Sequence, residues 1–444
     1  MAQPATRSLG RLSEIAQVMV RHGFGYFLEA HKLTDLLPGR SAELRLSAAE
    51  SSVGSARGQH LRELLDELGP TFVKFGQLLS TRPDVVPPDI IAELRGLQDD
   101  VRPFPFEQAE RVIEEDLGNT LERLFLSFDP VPVAAASIGQ VHRAVWHDGR
   151  EVAVKIQYPG AGKALISDLN QISRVARVAT VWIPGIEMGP ILDELKSRMS
   201  EELDYNLEAR SQAKFAKGFD GDPHYVIPKV VKNSEHVIVS EWLEGRPLSQ
   251  IIEKGTVAER DIAAQLYMEF LLEGPDRIGL LHADPHPGNY RMTPDGRLGI
   301  IDFGAVNRLP HGLPPEMGTF LQLALEGDAQ GTLDGLRAIG FVRPGMDLDA
   351  QRLLDYLEPF VDPLRTDRFR FTREWIREVF SHINDPRRPN YTVGMKLNLP
   401  PDYLLIHRVW IGGIGVLCQL GGEIEGRRIV GDHLVGADLP PVGA

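Results

Sequence analysis

Apolar residues recur along this chain with two different periods, and the change between them divides it. From Leu61 to Leu79, the positions Leu61, Leu64, Leu65, Leu68, Phe72, Phe75 and Leu79 fall on one stripe at 3.6 residues per turn, predicting an amphipathic helix bent at Pro70. A Pro-rich break at Pro103 and Pro105 closes that region, and "FEQAERVIEEDLG" starts a second helix. The period then shortens to two. "SIGQVHRAVWHDGREVAVKIQY" alternates apolar and polar residues on both sides of Asp148-Gly149, the signal of two antiparallel strands joined by a tight turn. Helical spacing returns over Pro190–Phe219, with Leu195, Met199, Leu203 and Leu207 at i, i+4. "YVIPKVVKNSEHVIVSEWLEG" reads as two further strands around Asn233-Ser234. The remainder is helical by pattern except for one hairpin-like stretch, "LLHADPHPGNYRMTPDGRLGIIDFGAV", and no internal repeat is visible.

Composition narrows the function classes. At 444 residues, 43% hydrophobic and 25% charged, the chain has core enough for two or three domains, with boundaries expected near 105 and 245. A formal net charge of -14 argues against a nucleic-acid surface, which needs a basic face. The single cysteine, Cys418, excludes an internal disulfide framework and a multi-thiolate zinc site, and fits a reducing, cytoplasmic setting. The first residues lack the unbroken apolar core of a signal peptide. "VWIGGIGVLCQLGG", Val409 to Gly422, is uncharged over 14 residues, short of the roughly 20 that span a bilayer, and is expected to be a buried helix.

Three motifs then carry the chemistry. In "VAVK", strand alternation sets Lys155 on one face, where a fixed cation can meet the α- and β-phosphates of a nucleotide. In "HADPHPGN", Asp284 precedes Asn289 by the spacing that lets an aspartate orient an acceptor while the asparagine holds magnesium. In "IIDFG", Asp302 ends an apolar run, so its carboxylate can reach magnesium at a site edge. Each has a plainer reading alone: a solvated strand lysine, or a Gly/Pro turn with a capping aspartate. His282, Asp284 and His286 also stand at alternating positions that a catalytic transition metal could use. Only the nucleotide reading accounts for all three motifs in this order. It predicts an α+β, bilobal protein-kinase-like fold: a helical extension over 1–105, an N-lobe over 106–245 and a mainly helical C-lobe over 246–444.

Two departures from an ordinary kinase bear on the substrate. Where a Gly-rich phosphate loop is expected, the chain has "PVAAASIGQVH"; Ala134, Ala135, Ala136 and Ser137 still offer backbone N–H groups, but a Cβ restricts close approach. Between Asp302 and Met317 there is no Ser, Thr or Tyr, which excludes phosphorylation there, and Pro310, Pro314 and Pro315 leave little platform for a peptide. A small-molecule acceptor, or water, is favoured over protein.

These departures resemble the UbiB (AarF-like) family of atypical kinases over most of the chain. The resemblance rests on "KFGQ" (Lys74 to Gln77), "AAAS" (Ala134 to Ser137), "VAVK", "EELDYNLEA" (Glu201 to Ala209), "HADPHPGN" and "DFG". It implies ATP and Mg2+ as cofactors, with Lys155 paired to Glu208, Asp284 as the catalytic-loop aspartate, and Asn289 and Asp302 on the metal. It further implies that Ala134 to Ser137, Glu241 and Leu243 line the nucleotide. Lys74, Gly76 and Gln77 would reach over the pocket towards Glu202 and Asp204 in a regulatory role. The family reading is an ATPase or small-molecule kinase supporting isoprenoid quinone biosynthesis at a membrane, with quinone precursors or lipids as partners.

Helix geometry tests part of that transfer. Lys74 and Gln77 are i, i+3 neighbours opposite the leucine stripe, so one polar patch holds both. Glu202 lies about 200° from Asp204 on an ideal helix, so the two acids do not both face Lys74 unless the helix is irregular. Any membrane contact would be peripheral. Arg7, Arg11 and Arg21 around Ile15, Val18 and Met19 read either as a basic amphipathic helix or as one packed on the core. Two hypotheses leave the sequence: an ATP-dependent enzyme, and a nucleotide-gated scaffold without physiological turnover.

Overall fold

The structure, a computed structural model, describes residues 17, 54–68, 72–73, 76, 93–94, 103–136, 138–160, 162, 200, 203–343, 345–384 and 391–442. They form two compact units. One comprises residues up to Asn206 together with Lys232–Val239, the other Leu207–Val231 and Ser240–Ala444.

In the first unit, helix α1 (Gly54–Leu68) buries Leu64 and Leu65 from the predicted leucine stripe. Phe72 and Val73 beyond it are helical and buried; Pro70, Phe75 and Leu79 lie outside the described residues. Helix α2 (Phe106–Leu117) follows Pro105, which stands where the missing N–H costs nothing, and ends at Gly118 with φ +70°. After the short α3 (Leu121–Leu124) come β1 (Phe125–Phe128), β2 (Ala134–Ala136), β3 (Gly139–Trp146) and β4 (Glu151–Gln157). The β3–β4 ladder runs from Gly139↔Gln157 to Val145↔Glu151. The expected Asp148-Gly149 turn is present within a longer loop. Gly149 takes φ +93°, Asp148 accepts hydrogen bonds from Arg150, and Trp146 N–H donates to the Arg150 carbonyl.

Helix α4 (Tyr205–Gly218) corrects the long helix expected over Pro190–Phe219. Residues 163–199 lie outside the described set, but Leu203 is in a turn and Asp204 is non-helical. Asp204 stands just ahead of the first helical residue, a place aspartate favours because its short side chain suits the end of a helix. Asp204 and Glu208 therefore do not share a helical face.

Strands β5 (Tyr225–Val226), β6 (Val230–Asn233) and β7 (Val237–Glu241) follow, turning at Ser234 as the pattern predicts. The larger sheet runs β1-β3-β4-β7-β6, with β2 also on β3. Asp116 at the end of α2 ties the β6–β7 turn, accepting from Ser234 Oγ and from the His236 N–H at 2.8 Å each.

The second unit continues with β8 (Arg246–Pro247), α5 (Leu248–Lys254) and α6 (Val257–Ile278), the last opened by a reciprocal Thr256–Glu259 capping box. Next come β9 (Leu280–His282), β10 (Tyr290–Met292), β11 (Leu298–Ile300) and β12 (Val306–Arg308), and then α7 (Pro315–Glu326), α8 (Ala329–Ala338) and α9 (Ala350–Val361). The chain closes with β13 (Phe369–Arg370), α10 (Arg373–Asn384), α11 (Tyr391–Lys396), α12 (Leu404–Leu420), β14 (Glu423–Ile424) and α13 (Gly426–His433). The core joins α6, with Tyr267, Phe270 and Leu271, to α12, with Val409, Leu417 and Leu420. Helix α12 is the buried apolar helix read from the sequence, and it carries Cys418, whose burial pushes the thiol up to about 12. Among the described residues, no helix is long and apolar enough to cross a membrane.

Candidate active site

Two pairs of short strands in the second unit hold the polar stretch that the sequence singles out. β9 and β12 pair antiparallel with His282 opposite Val306; β10 and β11 pair with Tyr290 opposite Ile300. Between β9 and β10, Pro287–Asn289 forms a single 3₁₀ turn, started by His286 Nδ1 accepting from the Gly288 N–H at 3.1 Å. That turn gives the D-x4-N spacing its geometry. It folds Asn289 back so that its Nδ2 donates to Asp284 Oδ2 at 2.8 Å. Asp284 Oδ1 also accepts from the His286 N–H at 3.3 Å. With its nitrogen committed to Asp284, Asn289 has its amide oxygen for a metal.

Asp302 is set against the same loop through a buried relay. His282, 1% exposed, meets the Asp302 carbonyl with Nε2 at 2.6 Å, and its Nδ1 meets the Tyr290 hydroxyl at 3.0 Å. Tyr290 is itself fully buried and lies 3.4 Å from the Asp284 carbonyl. Burial holds His282 below its ordinary pKa, although the Asp302 carbonyl and the nearby aspartates oppose this. A neutral ring that accepts from Tyr290 at Nδ1 donates from Nε2, so the tautomer follows from the network. Tyr267, on α6, donates to the Pro285 carbonyl at 2.8 Å and fixes the other side of the loop.

The Asp302 carboxylate turns back on its own chain, Oδ1 accepting from the Gly304 N–H at 3.0 Å. A Cβ at Gly304 would stand 3.3 Å from that oxygen and 3.6 Å from Glu208 Oε2, so glycine lets the buried Glu208 carboxylate approach. The chain then pairs in β12 and reaches Pro315, the first residue of α7. The interval without hydroxyl side chains is thus short and pinned to β9.

In the first unit, Lys155 is half-buried on β4, its Nζ 5.3 Å from the centre of the Tyr205 ring. Ala134 to Ala136, expected as a loop, form strand β2 in register with Gly139 to Val141. The correction has a physical reason: a Cβ at Gly139 would come 2.5 Å from the Ile156 carbonyl oxygen, and the bare glycine lets β3 lie close enough to β4 for the alanines to pair at its start. Glu241 bonds Lys229 twice, its N–H donating to the carbonyl and its carboxylate accepting from the N–H. Leu243 lies over Gly299 of β11. Gly76 is helical and buried, while Lys74, Gln77, Ser137 and Glu202 lie outside the described residues.

The transition-metal reading of His282, Asp284 and His286 does not survive this geometry, because both ring nitrogens of His282 are spent on Asp302 and Tyr290. Sequence reasoning missed Tyr290 and Tyr267. The signal available was a tyrosine directly after Asn289 at the start of a short strand, a residue type that needs a polar partner when buried.

Residues 96–334 match the model of the ABC1 atypical kinase-like domain, more than half of the chain. This chain belongs to the ABC1 atypical kinase-like family. Its relatives include the Arabidopsis thaliana chloroplastic protein ACTIVITY OF BC1 COMPLEX KINASE 3, 35% identical over 79% of this chain and 49% of that protein. The probable protein kinase UbiB of Marinobacter nauticus is 37% identical over 57% of this chain and 48% of its own length. Among solved structures, the complex of Rv3197 with erythromycin from Mycobacterium tuberculosis superposes with a TM-score of 0.70 at 36% identity, covering 90% of this chain and 98% of the other. The UbiB resemblance and the kinase-like α+β fold both hold for this ABC1 chain. It spans about half the length of the curated relatives it matches.

Proposed function

We propose that the chain binds Mg-ATP and transfers its terminal phosphoryl group to a small or lipid-like acceptor, or to water, in support of isoprenoid quinone metabolism. One observation carries the reading. The Asn289–Asp284 bond at 2.8 Å and the His282–Asp302 carbonyl bond at 2.6 Å tie Asp284, Asn289 and Asp302 to one loop system, which supports reading them as one oxygen-rich site. An all-oxygen donor set suits magnesium, which when bound neutralises phosphate charge. Asn289 and Asp302 would hold it. Asp284 orients the acceptor and takes its proton, Lys155 steadies the α- and β-phosphates with Glu208 as its partner, and Leu243 edges the base. Ala134 to Ser137 and Glu241 complete the nucleotide's surroundings, and Lys74, Gly76, Gln77, Glu202 and Asp204 regulate access from the extension. The lobes divide at about 105 and 245 on this reading, and any membrane contact is peripheral.

The short, proline-rich interval after Asp302 supports a small acceptor over a peptide, and the UbiB name of relatives supports the quinone connection. A second reading, nucleotide-gated binding of a bulky apolar molecule without turnover, is favoured by the erythromycin named with Rv3197. Phosphate release and acceptor labelling from γ-labelled ATP, with anionic vesicles, a phenolic quinone-precursor mimic, or neither, separate the two. Label on the phenol or lipid, or release stimulated by them, supports the enzyme. ATP binding with no release in any condition supports the scaffold.

A further inference from the structure

Arg291 is a charged residue that no motif accounts for. It follows Asn289 by two positions on β10 and pairs across the ladder with Gly299. Alternation sends Tyr290, Leu298 and Ile300, all fully buried, into the core, so Arg291 and Gly299 share the opposite face. That face is shaped by missing side chains. A Cβ at Gly299 would collide with Leu243 Cδ2, and a Cβ at Gly245 would come 3.1 Å from Arg291 Cβ. Leu243 and Gly245 thus lie directly on the two strands, and Arg291 bends towards them, its Nη1 donating to the Gly245 carbonyl at 3.0 Å.

This is the only side-chain hydrogen bond that Arg291 makes among the described residues. A guanidinium carries five donors, and this one is half-buried near the opposite charge of Glu244. A planar cation is thus half withdrawn from water with a single side-chain hydrogen bond among the described residues. It stands between Asn289 at one end and Leu243 at the other.

We propose that Arg291 is the specificity-determining floor of the nucleobase site: anchored by the Gly245 carbonyl, its guanidinium plane stacks beneath the base of the bound nucleotide. The inference rests on the nucleotide reading above and deepens it. Guanidinium stacks on flat aromatic faces in a way that a lysine ammonium does not. Arg291 therefore recognises the base and leaves the phosphates to other residues.

The test compares Mg-ATP with Mg-tripolyphosphate by calorimetric titration of the wild-type chain, Arg291→Lys and Arg291→Leu, each checked for folding by circular dichroism. Losing a desolvated stack of about 1.4 kcal/mol corresponds to roughly tenfold in affinity. Arg291→Lys is therefore expected to weaken ATP roughly tenfold and leave tripolyphosphate within twofold, a ratio that a purely structural role would not move. ATP affinity within twofold of wild type in both variants overturns the assignment of Arg291 alone, as does equal weakening of both ligands. A wild-type chain that binds neither ligand overturns the nucleotide reading together with it.

Discussion

Removing one hydroxyl, in Tyr290→Phe, probes the relay that ties the two aspartates together. The Tyr290 oxygen lies 3.0 Å from His282 Nδ1 and 3.4 Å from the Asp284 carbonyl, and both rings are buried. Phenylalanine fills the same space, so no cavity term enters. What is lost is a donor to a buried acceptor, and an unpaired buried polar group costs about 1–3 kcal/mol. The functional effect follows from the ring's orientation. Without the hydroxyl, His282 Nδ1 is left as a buried acceptor with no donor, and only the Asp302 carbonyl, 2.6 Å from Nε2, still orients the ring. Loss of such an outer partner typically lowers metal affinity or activity roughly 10–100-fold. Urea unfolding reads the stability, the magnesium dependence of ATP turnover reads the function, and ¹⁵N shifts of the His282 ring read the tautomer. An unfolding free energy within about 0.5 kcal/mol of wild type, with unchanged magnesium dependence and ring shifts, would refute the relay.

Further consequences are open to simple assays. Gly139→Ala places a Cβ 2.5 Å from the Ile156 carbonyl oxygen and 2.7 Å from the Tyr205 hydroxyl, so urea unfolding is expected to show a loss of about 1–3 kcal/mol from overpacking. Burial holds His142 below its ordinary value of 6.5, against a bond to the Asp129 carbonyl, beside Gln140, Phe106 and Phe128. Because the unfolded chain takes up the proton first, stability is intact above 6.5 and falls below it, at up to about 1.4 kcal/mol per pH unit. His142→Phe should flatten that slope between pH 7.5 and 5.5, and an unchanged slope would contradict it. Cys418, 3% exposed with its thiol pushed up to about 12, should resist a thiol-specific disulfide reagent in the native chain and react once in urea.

Legibility followed the range of the interactions. The β3–β4 hairpin, the buried α12 and the Asp284–Asn289 pair could be read because strand alternation, apolar length and a five-residue spacing are local signals. The break ahead of α4 escaped notice because the leucine period runs straight through Leu203 and Asp204, and periodicity alone does not register a helix end. Strand β2 was hidden because alanine is a weak strand former; its pairing is decided by the bare Gly139 opposite Ala136. The roles of His282, Tyr290 and Arg291 depend on partners 20, 8 and 46 residues away, which only the folded chain brings together. His282 is instructive: its alternation with Asp284 and His286 suggested a metal ligand, and the fold spends it on a backbone carbonyl and a tyrosine hydroxyl.

The most direct test of the central claim is phosphate release from ATP by the purified chain, with magnesium or with chelator, for wild type, Asp284→Asn and Asp302→Asn, with Cys418 shielding as the check on folding. The account predicts turnover that requires magnesium and falls at least tenfold in both folded variants. Turnover that persists in chelator, or in folded Asp302→Asn at the wild-type rate, would contradict it.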